Sequence, residues 1–97
     1  MSTKEQYIPI IRKFVAEHGT EYGIRRIGIF GSVARDEQTA TSDIDIYYEG
    51  TALGLKSLTG LPQTLSEYLG IPVDVVREHD GLNSYFRNCI MQEVIYV

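Results

Sequence analysis

Apolar residues recur at helical spacing at Tyr7, Ile10, Ile11, Phe14 and Val15, which predicts a helix from about Lys4 to His18. Pro9 falls inside that window. A proline removes one backbone donor and crowds the preceding turn. Either the regular helix begins near Ile8, with Pro9 in its first turn, or it kinks there. Gly19 is the expected stop. Arg25 to Phe30 (RRIGIF) is a short run rich in isoleucine and predicts a strand, ended by Gly31-Ser32. Ser32 to Arg35 opens a short helix, and the polar stretch Asp36 to Ser42 predicts a loop. Asp43 to Glu49 (DIDIYYE) starts with strict alternation of acid and isoleucine, a strand signal. Leu55, Leu58, Leu61, Leu65 and Leu69 predict one amphipathic helix or two short ones between Leu53 and Leu69, interrupted by Gly60 and Pro62 and stopped by Gly70. Ile71 to Arg77 (IPVDVVR) predicts a third strand. Asn83 to Val94 predicts a last helix, with Tyr85, Phe86, Cys89, Ile90 and Val94 on one side. The order helix, strand, short helix, strand, helix, strand, helix argues for an α/β or α+β sandwich, a small sheet covered by helices.

Composition changes this picture little and bounds it usefully. The chain has 97 residues, so residues 1–97 are expected to form a single domain. Apolar residues at 43% and charged residues at 23% argue against wholesale disorder. No apolar stretch approaches the length of a membrane span, and the polar N-terminal residues do not resemble a signal peptide. One cysteine, Cys89, has no internal partner for a disulfide, which fits a cytoplasmic protein. Nine Lys plus Arg against thirteen Asp plus Glu give a net charge of −4, which disfavours binding to a nucleic-acid backbone. A small phosphate ligand stays compatible, because carboxylates can hold a metal that neutralises it.

The anomaly is acid placed in apolar strands. Asp43 and Asp45 are two residues apart, so on a strand they project from one face while Ile44 and Ile46 project into core. Asp74 stands between Val73 and Val75 in the third predicted strand. If the two strands are neighbours, the three carboxylates converge on one patch. Crowded anions repel, and each raises the proton affinity of the others. A hard divalent cation such as Mg²⁺, which prefers oxygen ligands, removes the conflict. A single D-x-D also occurs on solvated strand faces; the third acid and the preceding turn favour a metal site here.

That turn is Gly31-Ser32, between a strand and a short helical stretch. Glycine allows close backbone approach to a ligand, and serine offers a hydroxyl to a phosphate. The spaced glycines and Gly-Lys-Ser/Thr of a P-loop are missing. Arg35, one helical turn on, either adds a charge to a phosphate site or forms a surface ion pair with Asp36 or Glu37. His18 suits a helix end. His79 sits in the turn Glu78-His79-Asp80-Gly81 and is a weak metal-ligand candidate. Cys89 reads as core. Tyr47 and Tyr48 either line the site, form an interface or pack in the core.

Three elements in order, Gly31-Ser32-Val33-Ala34-Arg35, then Ser42-Asp43-Ile44-Asp45-Ile46, then Val73-Asp74-Val75-Val76, resemble the minimal nucleotidyltransferase group of the DNA polymerase β-like nucleotidyltransferase superfamily. The resemblance runs from about Ile24 to the C-terminus, including the segment Gln92 to Val97. It implies a small mixed β-sheet flanked by helices, ATP as substrate, two Mg²⁺ ions, and transfer of a nucleoside monophosphate to a hydroxyl. By position, Gly31 and Ser32 would hold the triphosphate with Arg35 beside them. Asp43 and Asp45 would ligate both metals, and Asp74 the metal near the acceptor. Asp36 departs from the family, where glycine is common. Stand-alone members resemble antitoxins paired with HEPN-domain ribonuclease toxins, which implies AMP transfer to a tyrosine of such a toxin in a hetero-oligomer. Two other readings remain: a non-catalytic module that neutralises its toxin by covering it, with the acidic patch on a basic surface, and transfer to a small molecule such as an aminoglycoside.

Overall fold

The computed structural model describes residues 3–37, 43–52, 54, 55 and 59–97. Helix α1 spans Thr3–His18, strand β1 Ile24–Phe30, helix α2 Gly31–Ala34, strand β2 Ile44–Gly50, helix α3 Leu61–Leu69, strand β3 Val73–Arg77, helix α4 Ser84–Glu93 and strand β4 Ile95–Tyr96. Pro9 lies inside α1 rather than at its start. It is exposed, on the side of α1 turned away from the core. Ile11 and Phe14, both fully buried, keep the segment seated on the sheet.

Gly60 and Pro62, expected as interruptions, are where α3 begins: Gly60 is the N-cap and Pro62 occupies the first turn. Leu55 is 76% exposed and belongs to no buried face, while Leu53 and Leu58 lie outside the described residues, as does Ser42. Gly70 ends α3 in the left-handed conformation (φ 76°). In α4, the Asn83 side chain caps the helix by accepting from the Phe86 N–H at 3.0 Å. Of the apolar side predicted for α4, Ile90 is fully buried but Tyr85 is 79% exposed and Cys89 only half-buried. The two-residue strand β4 was not predicted, because two residues carry no periodicity.

The sheet runs β3-β2-β1-β4, with β2 and β3 parallel and the other pairs antiparallel. Period-two alternation sorts its side chains. Ile27, Ile29, Ile44, Ile46 and Tyr48 face α1 and α3, where they pack with Ile11, Phe14, Leu61, Leu65 and Leu69. Phe30 and Tyr47 belong to a second cluster with Ile90 of α4. The face under α4 therefore also carries Asp45, two residues from Tyr47. Among the described residues, no helix is long and apolar enough to cross a membrane.

Candidate active site

The acids gather at one end of the sheet, where β1 ends and β2 and β3 begin. The parallel register sets Ile44 opposite Val73, Asp45 opposite Asp74 and Ile46 opposite Val75. Neighbouring strands stand about 4.8 Å apart, so Asp45 and Asp74 leave adjacent backbones on the same face. The sequence-predicted convergence of these two aspartates is thus present. Asp43 lies one residue before β2, not within it, and is exposed. The ladder between β2 and β3 reaches back to this point through the Ile44 N–H, which donates to the Pro72 carbonyl at 3.2 Å.

Asp45 is the half-buried member of the trio, and its carboxyl is pushed above the usual carboxylate range. Burial is the main cause, followed by the charges of Asp74, Asp43 and Glu93; Arg35 opposes them. Among the described residues, no three acidic, histidine or cysteine side chains are drawn together tightly enough to chelate an ion as they stand. The donor set still fits a hard divalent cation. It is all oxygen, two of its members sit opposite each other on adjacent strands, and it contains a carboxyl under strain from its neighbours' charge.

Gly31 follows directly on β1 with φ 77°, the left-handed region that favours glycine. A Cβ there would lie 2.1 Å from Asp45 Oδ2, so only glycine lets the turn pass this close to the carboxylate. Ser32 is half-buried at the next position. Arg35 makes the expected ion pair with Glu37 (Nε to Oε1, 3.1 Å) but not with Asp36. Asp36 instead pairs with Lys4 at 3.1 Å, and Lys4 also donates to the Ala34 carbonyl at 3.2 Å. Asp36 itself has φ 58°, the left-handed region that favours glycine; aspartate is one of the few other residues that tolerate it.

Glu93 is the residue that sequence reasoning missed. Its Oε1 accepts from the Gly31 N–H at 2.9 Å and its Oε2 from Arg35 Nη1 at 2.6 Å. The available signal was an acid closing an otherwise half-apolar helix, just before Val94-Ile95-Tyr96-Val97. The other candidates resolve into structure. Tyr48 is core. Tyr47 is buried and donates to Glu78 at 2.7 Å; burial and that carboxylate push its hydroxyl above the ordinary tyrosine range. His79 Nδ1 accepts from the Gly81 N–H at 3.1 Å. The His18 ring packs among Phe14, Tyr22 and Tyr68 and pairs with Glu21.

Three comparisons bear on this arrangement. MJ0126 of Methanocaldococcus jannaschii, provisionally named a protein adenylyltransferase, is 40% identical over 100 residues, covering all of both chains. A solved structure provisionally described as a minimal nucleotidyltransferase superposes with a TM-score of 0.76 at 30% identity, covering 98% of this chain and 95% of the other. A toxin-antitoxin crystal structure with AMP-PNP shares the fold, with a TM-score of 0.73 at 22% identity over 91% of this chain and 69% of that one. A family model described as a nucleotidyltransferase domain matches residues 8–97, and the chain belongs to that family.

Proposed function

We propose that this protein is a protein adenylyltransferase that moves AMP from ATP to a hydroxyl of a partner toxin and so acts as its antitoxin. The observation that carries this is the pairing of Asp45 with Asp74 across β2 and β3, beside a Gly31-Ser32 turn built against Asp45. MJ0126 bears the name of that activity, and the toxin-antitoxin neighbour holds an ATP analogue. In this proposal, in keeping with the family resemblance, the partner is a HEPN-domain ribonuclease and the acceptor a tyrosine of it.

In this reading Gly31 and Ser32 hold the triphosphate, and Arg35 supplies positive charge beside it. Asp43, Asp45 and Asp74 would hold two Mg²⁺ ions, which when bound neutralise the phosphates and lower the acceptor hydroxyl's pKa. Asp74 helps accept the proton that this hydroxyl loses. The acceptor oxygen forms a bond to the α-phosphorus as the bond to pyrophosphate breaks. The protein's contribution is positioning and charge placement. A bulky, charged nucleotide beside a ribonuclease site then blocks it.

The test is incubation of the purified protein with its toxin, Mg²⁺ and ATP labelled at the α-phosphate. Label should reach the toxin, and Asp43→Ala/Asp45→Ala should abolish transfer. Equal labelling by the double variant would refute the assignment. Toxin neutralisation that survives loss of both aspartates would favour simple covering instead.

A further inference from the structure

We infer that Glu93 is a positioning residue for the nucleotide: it pins the phosphate-binding turn and aims Arg35 at the triphosphate. This rests on the roles proposed above for Gly31, Ser32 and Arg35. The Gly31 amide comes immediately after Phe30, the last residue of β1 paired with β2. Phe30 is also the N-cap of α2 and provides no side-chain cap. Glu93, 62 residues after Gly31, supplies the missing acceptor.

The same carboxylate grips Arg35. Its partner Glu37 takes Nε, Glu93 takes Nη1, and neither uses Nη2. Glu93 is the inner member of this triad, with its side chain 22% exposed against 47% for Arg35 and 58% for Glu37. A phosphate arriving from solvent meets the outer edge of Arg35 and has no need to evict Glu93. A long side chain held this way gives up its rotamer freedom before the ligand arrives, so less is lost on binding. Glu93 can serve as a fixed point because its backbone is held on both sides. It closes α4, the Val94 N–H bonds to the Ile90 carbonyl at 2.8 Å, and β4 then pairs with β1. A functional group is placed more accurately from such elements than from a loop.

Direct binding of ATP and of AMP to the whole 97-residue chain with Mg²⁺ tests this. Glu93→Gln should weaken ATP binding about tenfold, the effect of about 1.4 kcal/mol, and change AMP binding by less than about twofold. In an Arg35→Gln background, Glu93→Gln should add less than about twofold, because it acts largely through that guanidinium. Glu93→Asp keeps the charge but cannot span both donors; it should give the same signature and serves if the glutamine variant fails to fold. Unchanged ATP affinity, or effects that simply add in the double variant, would overturn the inference. Tighter ATP binding would overturn it too, and would mean that Glu93 competes with phosphate. If the wild type binds ATP and transfers AMP while these results hold, only Glu93's role is lost. Failure of the wild type to bind ATP removes the proposed function as well.

Discussion

At the residue scale, the site is a contest between closeness and charge, and Gly31 and Asp45 carry it. The turn at Gly31 passes so near Asp45 that a methyl group cannot fit. Gly31→Ala would force either the turn or the carboxylate to move, on top of the strain of alanine at φ 77°. A displacement of about 1 Å at a reacting centre costs about 10²-fold. We therefore expect Gly31→Ala to lower AMP transfer by at least that factor, measured with labelled ATP; near-normal transfer would show that the turn is not part of the site. Asp45 makes the opposite bargain. Burial and three neighbouring acids disfavour its ionised form. Asp45→Asn removes one repelling charge while keeping the shape, so the ligand-free variant should melt a few degrees higher, with a gain of about 0.5–2 kcal/mol, yet transfer should vanish. A lower melting temperature would mean that Asp45 is held by contacts rather than strained by charge.

At the element scale, α4 is fastened to the sheet at both ends. Glu93 reaches Gly31 and Arg35 at its C-terminal end. At the other end Arg87 donates to Glu78 (2.7 Å from Nη2) and to the His79 carbonyl (2.8 Å), and Tyr47 shares the same carboxylate. Arg87, then burial's opposing pull, then Tyr47 leave the Glu78 carboxyl below its ordinary value. A folded-state pKa below the unfolded one means that the stabilisation is complete above about pH 4.3, the unfolded value, and drains away as pH falls through the folded one. Melting curves of wild type and Glu78→Gln should accordingly converge on acidification and diverge towards neutral pH, where the variant is weaker. A gap that does not change with pH would rule out the ion pair as its source. The elements were legible where the pattern was long: acid–isoleucine alternation gave β2, and helical spacing gave α1 and α3's buried leucines. The pairing of Asp45 with Asp74 was legible only on condition that their strands are neighbours, and the parallel register of β2 and β3 meets that condition. The clamp on Gly31 and Arg35 was not legible, because it joins residues 62 apart through one side chain. Nor was β4, whose two residues are too few to show a period and are seated by pairing with Gly28 and Ile29 of β1, with the Arg26 guanidinium 4.0 Å over the Tyr96 ring.

At the scale of the whole molecule, a chain of 97 residues with a net charge of −4 concentrates several of its acids at one sheet end. Small domains bury a modest fraction of their surface and have little stability in reserve. Repulsion at the site therefore weighs on the entire fold, and ligands that relieve it should be felt globally. Anything that binds the folded chain alone stabilises it by mass action: about 2.7 kcal/mol at one hundred times its dissociation constant. For a domain of 60–100 residues each kcal/mol moves the melting temperature by about 4–8 °C, so saturation with Mg²⁺ and ATP should raise it by about 10–20 °C. Stripping the metal with EDTA should reverse most of that rise, because the phosphates would then meet the aspartates without a counter-charge. The Asp45→Asn variant should begin hotter than wild type and gain little from Mg²⁺ and ATP, so that the two melting curves cross as ligand is added. Scanning calorimetry across a titration checks this directly. If ATP stabilises the chain equally in EDTA, or if both proteins gain the same shift, the strand carboxylates do not hold the metal and the nucleotide is bound by the turn alone.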